Sequence, residues 1–134
     1  MSKRKLLALD VGEKRIGVAQ ADLAVPIAVP YTTINVDGSE IRQILELIIE
    51  GEIDVLVIGY PRNQSGQPTA QTDFVEEFRA KLADAPCKIV YQDESLTSVL
   101  ATKQLEARKK PYSKSDVDAL AACIILEDYM ERQL

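Results

Sequence analysis

The chain has 134 residues, 46% hydrophobic and 28% charged, which suits one core-bearing domain over residues 1–134 and is too short for two substantial lobes. Histidine is absent, which removes Ser-His and Cys-His catalysis, imidazole acid–base chemistry and histidine-ligated zinc together. A net charge of −5 argues against grip on nucleic acid by bulk electrostatics unless the charge is unevenly placed.

No apolar run approaches the roughly 20 residues that span a bilayer, so no membrane partner is expected. The basic opening leads into an apolar stretch that Asp10 cuts before signal-peptide length, so the chain reads as mature cytoplasmic protein. Cys87 and Cys123 are far apart and form no CxxC knuckle; they read as two buried thiols.

Lys5 to Asp10 is mostly apolar and reads as a strand, Val11-Gly12-Glu13-Lys14 supplies a turn, and Ile16 to Ala19 returns as its hairpin partner. A third short strand follows around Val29 to Ile34. Asp37 and Glu40 have the spacing of a capping pair, and Ile41, Ile44, Leu45 and Ile48 then recur at helical spacing up to Gly51. Ile53 to Gly59 is a continuous β-branched run of the kind found in a central strand covered on both faces, ended by the loop Tyr60 to Gly66. Phe74, Phe78 and Leu82 mark a second helix, Cys87 to Tyr91 a further strand and Leu96 to Arg108 a third helix. Val117 to Met130 forms a fourth, with Val117, Leu120, Ala121, Ile124, Ile125 and Leu126 on or near its buried stripe. The lysine-rich stretch Lys109 to Ser115 before it reads as a mobile loop.

The order β-β-β-α-β-α-β-α-α predicts an α/β fold. Its mixed five-stranded sheet has antiparallel hairpin strands first, parallel strands later and helices on both faces. Ligands in such sheets sit beyond the carboxyl ends of the parallel strands, where Asp10 and Asp93-Glu94 fall.

Carboxylates stand at three separated points: Asp10 ends one strand, Asp93-Glu94 end another, and Asp116 and Asp118 open the last helix. Such groups converge only in the folded state, and hard cations such as Mg²⁺ take a few oxygens while keeping positions open for water and phosphate. The pattern points to metal-assisted phosphodiester hydrolysis. Each acid also has a structural reading: Asp10 as a turn aspartate, Asp93 or Glu94 beside the positive start of a helix, and Ser115 to Asp118 as a capping box. Adjacent strand residues face opposite ways, so only one of the pair can face Asp10; Glu94 is preferred, with Asp93 and Asp116 as fallback ligands.

Positive charge is uneven. Lys103, Arg108, Lys109, Lys110 and Lys114 lie close together, and Lys3, Arg4, Lys5, Lys14 and Arg15 flank the first acidic point. Arg15, Arg62, Asn63, Lys109 and Lys110 are candidate phosphate contacts, with solvated turn and helix-end residues as their plainer role.

The segments LDVGEKRIGVA (Leu9 to Ala19), GYPRNQSG (Gly59 to Gly66), DESLTS (Asp93 to Ser98) and KSDVDALAACIIL (Lys114 to Leu126) resemble, in order, the motifs of the YqgF family. These are the pre-16S ribosomal RNA nucleases, also described as Holliday junction resolvases. The resemblance implies a ribonuclease H-like fold, catalytic acids at Asp10, Glu94 and Asp118, and trimming of the 5′ end of the ribosomal RNA precursor or of a ribosomal particle carrying it. It also implies two divalent ions, Mg²⁺ or Mn²⁺, with Asp10 placed to bridge them. Ser65 and Ser95 depart from the family's common acidic residue and arginine, which touches substrate contacts and leaves the three acids intact.

Three alternatives remain. The same chemistry could act on branched DNA, in which case a two-fold dimer is expected. A non-catalytic RNA-binding ribosome-assembly factor would need no acids at all. The Asp-x-Gly hairpin also resembles the phosphate loop of actin-like and sugar kinases, but those close two lobes on a nucleotide and this chain is too short for the second.

Overall fold

The computed structural model describes residues 5–61, 70–94, 97–108 and 110–133, without the side chains of 94, 97–99 and 133. The elements follow the expected order: β1 (Lys5–Val11), β2 (Arg15–Asp22), β3 (Val25–Asn35), α1 (Glu40–Glu50), β4 (Val55–Pro61), α2 (Ala70–Ala80), β5 (Lys88–Glu94), α3 (Thr97–Ala107) and α4 (Lys114–Gln133). The sheet order is β3-β2-β1-β4-β5. β1 pairs antiparallel with β2, and β2 with β3, while β1–β4 and β4–β5 are parallel, so the mixed sheet is as the sequence suggests.

Alternation along the strands builds two cores. Leu7, Leu9, Val11, Ile16, Val18, Leu56 and Ile58 face one side, where Ile44 and Ile48 of α1 and Val75 and Phe78 of α2 cover them. Leu6, Ala8, Ala19, Val55 and Val57 face the other, beneath Ala122, Cys123, Ile125, Leu126 and Met130 of α4. β4 is buried on both faces, as its unbroken apolar run requires, although β1 holds the middle place in the sheet. Because α4 is also covered by α3, through Ala101 against Ala121 and Ile124, it is buried nearly all round from Ala119 to Leu126.

The differences from the sequence reading lie at element ends. β3 runs from Val25 rather than Val29, and β5 continues past Tyr91 to pair Gly59 with Gln92, Tyr60 with Asp93 and Pro61 with Glu94. Polar residues of low strand propensity are held there by the ladder bonds of β4. α4 begins at Lys114, which shortens the loop before it. Cys87 is only partly buried; Cys123 is fully so. Among the described residues no helix is long and apolar enough to cross a membrane.

Candidate active site

Asp10 lies inside β1, opposite Gly17 of β2, and the turn falls beyond it, where the Gly12 N–H donates to the Arg15 carbonyl at 3.0 Å. Since Leu6 and Ala8 face α4, strand alternation carries Asp10 to the α4 side as well. It is half-buried at the carboxyl end of β1. Glycines border it on both sides: Gly17 is its partner in β2, and Gly59 follows Ile58, the β4 partner of Leu9. The positions beside this carboxylate on the two adjoining strands therefore carry no side chain.

Gly17 decides where α4 can lie. A Cβ at this position would fall 1.9 Å from the carbonyl oxygen of Asp118 and 2.9 Å from the Ala119 nitrogen, so only glycine lets the helix touch the strand. Two further contacts anchor the turn before Asp118. The Thr33 hydroxyl of β3 donates to the Ser115 carbonyl at 2.8 Å. Ser113 and Asp116 form a capping box, with the Ser113 N–H donating to Asp116 Oδ2 at 2.9 Å and the Asp116 N–H to Ser113 Oγ at 3.3 Å. The box therefore starts two residues before the Ser115 to Asp118 box read from the sequence. Asp116 is occupied as a cap, and Asp118 is released from that duty.

Asp118 instead meets Arg15. The Arg15 Nε donates to Asp118 Oδ2 at 2.6 Å across a sequence separation of 103 residues. Arg15 precedes Gly17 by one strand period, so both belong to the α4 side of β2. The structure thus brings Asp10, Arg15 and Asp118 to one end of the sheet, on one face.

The remaining candidates divide. Asp93 and Glu94 both end β5, on the same edge as Asp10, because β1, β4 and β5 are mutually parallel. Val90 packs on the α4 side and Ile89 on the other, so position 94 continues the α4 series and Asp93 the opposite one. The side chain of Glu94 lies outside those described. Among the described residues no three Asp, Glu or Cys side chains gather as a metal site, so neither Asp93 nor Asp116 completes a triplet with Asp10 and Asp118. Lys110 is exposed in the loop before α4, close in sequence to exposed Arg108 and Lys114. Arg62, Asn63 and Lys109 fall outside the described residues, as do Ser65, Ser95, Lys3 and Arg4. Lys5 does not flank the acidic end: it opens β1 at the far edge and pairs with Glu52 at 3.7 Å.

The donor chemistry fits a hard divalent cation. Asp10 and Asp118 offer only oxygens, the Gly17 contact fixes the backbone of one beside the partner strand of the other, and a guanidinium already stands against Asp118 as a cation. Thiolate chemistry does not compete here. Burial, reinforced by Glu127, pushes the Cys123 thiol up to about 12, which keeps it neutral.

Sequence reasoning missed Gly17 and Gln92. A glycine inside a strand is itself a sign of close backbone approach, and that sign was available at Gly17. Gln92, buried in β5 and donating to the Asp93 carbonyl at 3.2 Å, carried no signal beyond its place before the acidic pair.

A family model described as RuvX, Holliday junction resolvase, matches residues 4–132. The chain belongs to the RuvX family. Relatives in this family include a protein of Chloroflexus aurantiacus, 40% identical over 98% of this chain and 89% of its own length, and one of Crocosphaera subtropica, 40% identical over 99% and 96%. Both carry the name "Putative pre-16S rRNA nuclease". Among solved structures, Thermus thermophilus RuvC in complex with a Holliday junction substrate superposes with a TM-score of 0.59 at 13% identity, covering 96% of each chain. The Fowlpox virus resolvase with Holliday junction DNA gives 0.57 at 12% identity, over 97% of this chain and 99% of that one. These matches identify the RuvX chain's fold as ribonuclease H-like.

Proposed function

We propose that this chain is a divalent-metal-dependent endonuclease that processes the 5′ end of the precursor of 16S ribosomal RNA, with Asp10, Glu94 and Asp118 as its catalytic acids and metal ligands. The observation that carries this reading is the contact of α4 with Gly17, which holds the Asp118 backbone against the strand paired with Asp10. Register supports Glu94 as the third acid, since position 94 continues the strand series of Val90 at the same sheet edge. Two bound ions, Mg²⁺ or Mn²⁺, would activate water and stabilise the leaving oxygen.

The chain's own residues do the rest. Asp10 and Asp118 supply fixed negative charge from two elements that the fold locks together, so little reorganisation is needed when a cation arrives. The exposed basic residues Lys110 and Lys114 lie just before and at the start of α4, the helix that carries Asp118, and with Arg62, Asn63 and Lys109 they are our candidates for holding the phosphate backbone. RNA is favoured as substrate by the names of relatives at 40% identity over nearly the whole chain. Branched DNA is the second reading, favoured by the family description and by the junction complexes of structural neighbours.

The test sets the wild type beside Asp10→Asn on precursor ribosomal RNA and on a four-way DNA junction, each with Mg²⁺, Mn²⁺ or chelator. We expect metal-dependent cleavage of the RNA by the wild type only, the variant losing about a thousandfold in rate, or about 4 kcal/mol of transition-state stabilisation. Cleavage of the junction in place of the RNA would make the protein a resolvase. Tight RNA binding by both proteins without cleavage under any metal would make it an assembly factor.

A further inference from the structure

Arg15 is the basic side chain that the described structure sets directly against a candidate metal ligand. Its Nε stands 2.6 Å from Asp118 Oδ2, and the two side chains retain only 30% and 20% of their exposure. A pair so far withdrawn from water is screened less than a surface ion pair, and its charges act strongly on anything placed between or beside them. The contact exists only in the folded chain, because β2 supplies one partner and the second turn of α4 the other.

We propose that Arg15 is a built-in counter-cation that occupies Asp118 in the metal-free protein and must be outcompeted when a divalent ion loads; this rests on the reading of Asp118 as a metal ligand. Two opposed effects decide what Arg15 does to metal affinity. A hydrogen bond from outside the ligand shell orients a carboxylate, and losing such a bond typically weakens metal binding about 10- to 100-fold. Against this, a guanidinium on the ligand itself repels a doubly charged ion a few ångströms away and takes one of the two oxygens the ion could use.

The geometry favours repulsion. The backbone of Asp118 is already immobilised by the Gly17 contact, with the Thr33 tie and the Ser113–Asp116 capping box holding the turn before it, so only the side-chain torsions of Asp118 are left for Arg15 to orient. The charge of Arg15, by contrast, has no substitute beside Asp118 among the described residues. Arg15 therefore neutralises Asp118 until a divalent ion arrives, and sets the ion concentration at which Asp118 takes one up.

The decisive measurement is Mn²⁺ binding, followed by calorimetry and by the electron paramagnetic resonance of free Mn²⁺, for the wild type, Arg15→Gln, Arg15→Lys and Asp118→Asn. Melting in the presence of chelator confirms that each variant is folded. We expect Arg15→Gln to bind Mn²⁺ about tenfold more tightly or better while melting lower without metal. Arg15→Lys keeps the charge and should stay within about threefold of the wild type. A merely structural clip would weaken both variants or change neither, and either result would overturn the proposal. Should Asp118→Asn bind Mn²⁺ as well as the wild type, the ligand assignment itself fails, independently of Arg15.

Discussion

At the scale of single residues, Cys123 shows how burial alone can define chemistry. It sits in α4 among Ala122, Ile125 and Leu126, and desolvation holds its thiol at about 12 against an ordinary value of 9.0. Since the unfolded chain gives up this proton first, the folded state binds more protons above pH 9, and stability must fall as pH rises from about 9 toward 12. The urea midpoint should therefore decline between pH 9 and 10.5, and Cys123→Ala should flatten that decline. An equal slope in both proteins would contradict the assignment. The partly buried Cys87 and Tyr91 are raised in the same direction by burial and contribute to the slope that remains. Asp118 is the contrasting case. Its neighbours in sequence suggest a cap, yet its partner is an arginine 103 positions away, a contact no local pattern announces.

At the scale of elements, the helices and strands that could be read from the sequence were those whose own side chains carry the burial pattern. α1 follows from Ile41, Ile44, Leu45 and Ile48, and β4 from its unbroken apolar run. The start of α4 could not be read in the same way. Two overlapping Ser-x-x-Asp boxes, Ser113–Asp116 and Ser115–Asp118, are equally good locally, and the choice falls to the tie from Thr33 and to the contact with Gly17. That contact is between backbones, so no flexible side chain can yield. Gly17→Ala should destabilise the protein by about 3 kcal/mol, at the upper end of overpacking costs, because α4 has to lift from β2. It should also loosen the Arg15–Asp118 pair. Equilibrium urea unfolding checks this, and a variant as stable as the wild type would mean that α4 does not press on the strand.

At the scale of the whole molecule, the charge of −5 conceals a gradient. Exposed Lys103, Arg108, Lys110 and Lys114 surround the α3–α4 connection, whereas Glu127, Asp128 and Glu131 crowd the far end of α4. A helix of 20 residues is about 30 Å long, so the two ends are well separated relative to the Debye length. Partial burial, and after it repulsion from neighbouring acids, raises the carboxyls of Glu127 and Asp128. On the proposed function, an anionic backbone would be steered toward the opposite end, which holds Asp10 and Asp118. Neutralising Lys109 and Lys110 together should lower the slope of log affinity against log salt for single-stranded RNA by about 1.4, near 0.7 per lost phosphate contact. A slope equal to the wild type would return both lysines to solvent-facing roles.

Composition and periodicity by themselves determined the element order, the mixed sheet, the exclusion of imidazole chemistry and which acids are candidates, because these depend on which side chains are present and how they repeat. Tertiary structure alone decided that α4 crosses β2 at a glycine, that Asp116 caps while Asp118 does not, and that Arg15 holds Asp118. The reason is physical. Each of these outcomes is a contact between elements far apart along the chain, and local propensity contains no term for a neighbour that arrives only on folding.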